Sequence, residues 1–281
     1  MKRGKNMAFG NDLSKEFNRL TSKHFYTEEV LFAKLQDSFI NLGSKYVIDI
    51  IHGRKSFVTF DYNSGYLSSI RPPQEKICEL SDLLFIVWSN KKEEIRLMYM
   101  QNKRGNTYSK FRADLIQLSL LKERPLIKYP LPDCVFGCID ILTDAILKSV
   151  CSYGVFYQDG SLNIDMAYYP ACHVEPVNAI GKKKDRIVKY NEIYMGKVEF
   201  HHGYRESQGE INLVKFGNKL FEMKIGTPIT KKEFPICYAN ITEIINKTNF
   251  KDEFFENNFQ YYFDNFPTTI IINPDDERDL Q

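Results

Sequence analysis

Asp82, Gln101 and Lys103 are the residues of this 281-residue chain whose types and spacing best suit chemistry on a substrate. Asp82 follows the polar stretch Glu79-Leu80-Ser81 and opens the apolar run Leu83–Trp88. Gln101 and Lys103 sit at the polar end of the next β-type run, Ile95–Lys103. Side chains at i and i+2 of a strand share a face, so Gln101 and Lys103 project together. A polar turn over Ser89–Glu94 makes the two runs a hairpin, which returns both side chains to Asp82. The set suits hydrolysis of a phosphodiester. An aspartate carboxylate holds Mg²⁺ directly, and a glutamine carbonyl is a second, uncharged hard oxygen ligand. A lysine beside the metal orients or deprotonates water, or offsets charge on the pentavalent phosphate. Taken singly, Asp82 also reads as a turn aspartate bonded to its own backbone, and Gln101 and Lys103 as solvated residues where a strand leaves its sheet.

The elements that must position these residues are readable in part. Residues 1–24 form a polar lead-in, read over 1–20 as weakly ordered or as a short helix. Thr27 is a good N-cap, Glu28 and Glu29 suit a positive first turn, and Gly43 is a natural stop. Between them Leu31, Leu35, Phe39 and Leu42 recur at helical spacing. Lys45–Ile51 and Ser56–Asp61 read as strands, and Asp82–Trp88 as a central strand buried on both faces. The spacing of Phe111, Leu115, Leu118 and Leu121 (or Leu120) predicts a helix over Ser109–Arg124, ended by Pro125. A helix over Ile139–Val150 and a strand over Tyr153–Tyr157 follow. Further on come short β-like runs at Ile193–Phe200, Ile211–Phe216, Leu220–Ile225 and Thr268–Ile272. A boundary near residue 160 then divides an ordered part, 25–160, from a β-rich C-terminal region, 161–281.

Asp82 followed by Gln101-Asn102-Lys103 on the next strand resembles the PD-(D/E)xK phosphodiesterase superfamily. It is similar in particular to the QxK variants, such as Mrr-type restriction nucleases and related bacterial defence nucleases. The resemblance covers about residues 25–160. It implies an α/β fold with a restriction-endonuclease-like core, a mixed central sheet flanked by helices, in the order helix, three strands, helix, strand. Two departures stand out: Ser81 precedes Asp82 where the family has proline, and Gln101 replaces the usual acid. The resemblance implies a Mg²⁺-dependent endonuclease (Mn²⁺ able to substitute) that hydrolyses DNA in restriction or anti-phage defence. Asp82, Gln101 and Lys103 are its catalytic residues, with Asp82 and Gln101 on the metal. It also implies a homodimer or a partner in a defence complex, with residues 161–281 serving recognition, dimerisation or partner binding. The alternative is a non-catalytic or partner-activated subunit that keeps the nuclease fold.

Family members often carry a further acid on the first helix, and Glu28 fits. It shares a face with Leu31, Leu35 and Phe39, where a carboxylate needs a metal or a lysine partner. Glu29 is the substitute, and both also simply suit a helix N-terminus. Glu79 is another candidate metal ligand, provided that the chain bends between Glu79 and Asp82. Arg104, Lys110, Arg112 and Lys122 gather positive charge beyond the motif and are candidates for phosphate contacts. The basic loop Lys182–Lys184 with Arg186 and the aromatic stretch Phe254–Phe266 are weaker candidates for nucleic acid. Cys134, Cys138, Cys151 and Cys172-His173 have poor spacing for zinc and lack a nucleophile motif. Buried free thiols explain them better.

Composition fits this frame. With 43% hydrophobic and 26% charged residues the chain is globular. Its 38 Lys and Arg against 36 Asp and Glu exclude a general polycation, so a nucleic-acid partner must meet a local basic surface. The basic N-terminus has no apolar stretch behind it, and the longest apolar run is six residues where a membrane span needs about 20. A cytoplasmic protein without membrane association is the expectation.

Overall fold

The computed structural model describes residues 6–22, 26–53, 56–62, 74–128, 142–177, 185–190, 200–201, 204–205, 211–249 and 267–277. The chain begins with helices α1 (Asn6–Thr21) and α2 (Glu28–Leu42). Strands β1 (Tyr46–Ile51), β2 (Phe57–Tyr62), β3 (Gln74–Glu79), β4 (Leu83–Ser89), β5 (Glu94–Thr107) and β6 (Lys110–Asp114) follow. Then come helix α3 (Leu115–Glu123) and strands β7 (Ile127–Lys128), β8 (Cys151–Gln158), β9 (Ile164–Pro170), β10 (Val174–Pro176), β11 (Asp185–Tyr190), β12 (Phe200–His201) and β13 (Tyr204–Arg205). Helix α4 (Leu213–Phe221), β14 (Thr227–Thr230), α5 (Pro235–Asn249) and β15 (Thr268–Glu277) complete it.

The fold is mixed α/β, with a ten-stranded mixed sheet flanked by helices. Its path runs β1-β15-β4-β5-β6-β11-β10, with β14 and β8 also paired to β5 and β9 paired to β8. The predicted hairpin is present: β4 and β5 are antiparallel, with Leu83 opposite Met100 and Trp88 opposite Ile95. All seven residues of β4 are buried, and the alternation of a strand explains how. Leu84, Ile86 and Trp88 join the core on one face, with α3, α5 and β2. Leu83, Phe85 and Val87 join the core on the other, with α1, α2 and α4. A strand covered on both sides reads as a continuous apolar run. Burying each such side chain is worth roughly 1.5–3 kcal/mol, so this strand anchors the position of Asp82 just before it.

Several expectations are corrected. The lead-in takes the helical one of its two readings, but as part of the core: Phe9, Leu13 and Phe17, four residues apart, are fully buried. The helix expected over 109–124 begins only at Leu115. Residues 110–114 alternate exposed and buried, the period of a strand, and Asp114 caps the helix by accepting the Ile116 N–H at 2.8 Å. The helix expected over Ile139–Val150 is absent from its described part, where 142–147 turn and Lys148–Val150 make a single 3₁₀ turn. Ile211–Phe216 is not a strand. Asn212 caps α4, whose Leu213, Phe216, Gly217, Leu220 and Phe221 form a buried helical stripe. Leu220–Ile225 is the end of that helix and a turn in which Met223 takes a positive φ of 60°. Among the described residues beyond 160, seven strands are joined by the helices α4 and α5. Strands from both sides of residue 160 share the sheet: β15 lies between β1 and β4, antiparallel to one and parallel to the other. Among the described residues no helix is long and apolar enough to cross a membrane. The aromatic stretch 254–266 and the loop 182–184 lie outside the described residues.

Candidate active site

β5 is twice as long as β4, and this difference builds the site. The ladder between them starts where Leu83 faces Met100, with the Asp82 N–H bonded to the Met100 carbonyl. Beyond Met100, β5 continues without β4 beside it. Its next backbone N–H groups on that side need acceptors, and two carboxylates supply them. Asp82 Oδ2 accepts the Asn102 N–H at 2.6 Å, and Glu28 Oε2 accepts the Arg104 N–H at 2.8 Å. Both acids therefore end a sheet edge whatever else they do.

Around this edge lies a cleft of ≈ 580 Å³, lined by Glu28, Glu29, Phe32, Gly53, Glu79, Ser81, Asp82, Gln101, Lys103 and Thr268. The structure thus brings Asp82, Gln101, Lys103, Glu28 and Glu79 to one cleft. Gln101 and Lys103 share the face predicted for them, and Gln101 donates through Nε2 to Asp82 Oδ2 at 2.7 Å. Lys103 Nζ lies 3.2 Å from Glu28 Oε1, and its side chain is 17% exposed. The partner that Glu28 needed is this lysine. Glu79 reaches the cleft because β3 ends there and residues 80–82 bend into β4. Glu29 is exposed at the start of α2. Its carboxyl is held below the usual range by its own backbone N–H, the Thr27 hydroxyl and Lys103.

Asp82 is the acid of the cleft whose carboxyl is raised. Burial pushes its carboxyl up to about 6, and the negative charge of Glu79 adds to the shift. Lys103, the Asn102 N–H and the Gln101 amide oppose it. Both of its hydrogen bonds fall on Oδ2, and among the described residues Oδ1 carries none.

Two expectations about ligands change. Gln101, expected to offer its carbonyl to a metal, has that oxygen engaged: its Oε1 accepts from Gln117 Nε2 at 2.6 Å. Glu28 has both oxygens engaged, by Lys103 and by the Arg104 N–H. Among the described residues no three His, Cys, Asp or Glu side chains form a ready metal cluster. Asp82 and Glu79 line the same cleft, two carboxylates that repel each other. This donor set fits Mg²⁺ in its usual mode, with one or two carboxylates and the rest of the shell from water and phosphate.

Gln117 was missed from the sequence. It sits between Ile116 and Leu118 on α3 and is 5% exposed, a long polar side chain in a run that is apolar but for Gln117 and Ser119. The cationic candidates are arranged by the sheet. Lys110 and Arg112 are exposed on one face of β6, and Lys189 of β11 is directly opposite Lys110. Gly105 faces Phe111 in the β5–β6 ladder, so the exposed Arg104 projects on the Lys110 and Arg112 side. Lys122 is instead committed to Glu175. Cys78, Cys151 and Cys237 are buried and Cys172 is partly buried, and none of the four is in a disulfide among the described residues. Comparison with protein-family models, with curated proteins and with solved structures finds no match to this chain.

Proposed function

We propose that this protein is a Mg²⁺-dependent nuclease that hydrolyses DNA phosphodiester bonds at the cleft where β5 outruns β4, in the setting of restriction or anti-phage defence. The observation that carries this reading is the convergence of Asp82, Glu79 and Lys103 on one cleft at the end of a rigid strand pair. Asp82 through Oδ1, with Glu79, would hold the cation, whose chemistry when bound is to lower the pKa of water and to polarise the phosphate. Lys103 offsets the negative charge that grows on the phosphate in the transition state. Its ammonium must leave Glu28 or share it, and one hydrogen bond of 3.2 Å leaves it that freedom. Asp82 stays in place through its bonds to Gln101 and to the Asn102 N–H. Arg104, Lys110, Arg112 and Lys189 form a basic sheet face suited to the phosphate backbone. A homodimer, which would cut two strands, rests on the family resemblance.

A second reading, a partner-activated or non-catalytic subunit, is favoured by one observation. The Lys103–Glu28 pair describes a site not yet arranged for chemistry. Lys103→Ala separates the two. A nuclease loses at least about 100-fold in Mg²⁺- or Mn²⁺-dependent cleavage of plasmid DNA and keeps its affinity for DNA in EDTA. If wild type and variant are equally inactive on DNA and RNA while both bind, the second reading holds.

A further inference from the structure

The hydrogen bonds around Gln101 form a directional chain whose ends are fixed. At one end is the backbone carbonyl of Glu79, which can only accept and cannot rotate. It takes a hydrogen bond from Gln117 Nε2 at 3.0 Å. The same nitrogen donates its other hydrogen to Gln101 Oε1 at 2.6 Å. With its oxygen engaged, Gln101 turns Nε2 to Asp82 Oδ2 at 2.7 Å. Gln101 and Gln117 are 3% and 5% exposed, so water does not substitute for a lost partner.

The orientation of both amides follows from this chain. Oxygen and nitrogen of a carboxamide are interchangeable in shape, and only their partners tell them apart. A reversed Gln117 would set its oxygen against two acceptors, the Glu79 carbonyl and Gln101 Oε1. A reversed Gln101 would set nitrogen against nitrogen at Gln117 and oxygen against the Asp82 carboxylate. Reversing both leaves the clash at Glu79. One arrangement satisfies every group, and a buried polar group without a partner is costly.

We propose that Gln117 is a positioning residue that locks the Gln101 amide as a donor to Asp82 and so keeps the Gln101 carbonyl out of the metal shell. This rests on the reading of the cleft as a metal-dependent site. It assigns Gln101 a different task from the carbonyl ligand expected from its type: it holds Asp82 Oδ2, and Oδ1 is left for the cation. Relaxing the lock frees Gln101 to turn its carbonyl towards a cation and tightens metal binding.

A double-mutant cycle on Mn²⁺ binding tests this, read by titration calorimetry on wild type, Gln101→Ala, Gln117→Leu and the double variant. Gln117→Met replaces Gln117→Leu if the latter does not fold. Gln101→Ala alone is expected to change the Mn²⁺ dissociation constant by less than about threefold, since no ligand is lost. Gln117→Leu is expected to tighten binding by about tenfold, and the gain disappears in the double variant. A loss of about tenfold or more in Gln101→Ala alone, or no gain in Gln117→Leu, overturns the lock. The metal-free protein provides a separate arm. The Gln101 side-chain amide signals in a ¹H–¹⁵N spectrum are expected to shift both in Gln117→Leu and in Asp82→Asn. Unshifted signals overturn the lock directly. Shifted signals with no Mn²⁺ bound by any variant support the chain of amides and overturn the metal-dependent reading instead.

Discussion

Asp82 carries two duties that pull in opposite directions. As a sheet-edge acceptor it is stabilised by the Asn102 N–H and the Gln101 amide. As a buried charge beside Glu79 it is destabilised, and its carboxyl is raised from 3.8 to about 6. The folded state therefore binds this proton more tightly than the unfolded chain. The stability it gives is full below the unfolded value and is lost as pH rises through about 6. Each tenfold gain in proton affinity is worth about 1.4 kcal/mol, which sets a ceiling of about 3 kcal/mol for this carboxyl at the edge of a cleft. Asp82→Asn keeps an acceptor oxygen and removes the charge. In EDTA its urea midpoint should exceed that of wild type at about pH 8, with the gap closing near about pH 4. A gap that is constant or reversed across that range contradicts this role for Asp82. At this scale the sequence was informative about Asp82, Gln101 and Lys103 because period-two alternation and a hairpin suffice to bring them together. It was silent about the direction of the Gln101 amide, because that depends on Gln117 and on a backbone carbonyl from a different strand.

Elements position the site through their lengths and their packing. The overhang of β5 past β4 exposes the backbone that Asp82 and Glu28 complete, and α2 brings Glu28 to it. On the same side of the sheet as α2, α1 and α4 cross at a pair of glycines. A Cβ on Gly10 would lie 2.0 Å from the Val214 carbonyl oxygen, and one on Gly217 would lie 2.8 Å from the Gly10 Cα. Both obstacles are backbone, so no side chain can move aside. Gly10→Ala gains about 1 kcal/mol of helix propensity but loses about 1–3 kcal/mol or more to overpacking. The expected result is a net loss in urea denaturation, and an unchanged or higher midpoint would mean that the helices do not cross so closely. The basic sheet face has its own test. Lys110→Gln combined with Arg112→Gln should lower the salt slope of DNA binding by about 2, with a common effect on all sequences. An unchanged slope removes that face from the interface. α2, β1, β2, β4, β5 and β8 were legible from local periodicity and turn residues. β6 was misread because Phe111 falls in step with the helical stripe of α3, and α4 because the short apolar run at 211–216 fits either period, until the caps Asp114 and Asn212 are recognised.

For the whole molecule, the sheet is closed by chain from its far end. β15 pairs Ile270 with Phe85 on one side and with Ile50 on the other, and the fully buried Ile270 and Ile272 belong to the core beneath α2. α1 joins the same core from the other terminus through Phe9, stacked on Phe221 at 4.8 Å. The first 160 residues alone would leave β1 and β4 without the strand between them. That fragment should show no cooperative unfolding transition, whereas a sharp transition would make residues 25–160 a unit of their own. None of this was legible as pattern, because strand partners separated by nearly two hundred residues leave no periodic trace. Thr268–Ile272 was visible as a strand, but not as the one that completes the sheet beside Asp82. The central claim is that this cleft hydrolyses phosphodiester bonds with a divalent cation, and the most direct measurement is cleavage of supercoiled plasmid by purified protein. The reaction is run with Mg²⁺, with Mn²⁺ and with EDTA, alongside Asp82→Ala. Nicked or linear DNA is expected with either metal, none in EDTA, and none with the variant. Cleavage that persists in Asp82→Ala would contradict the claim.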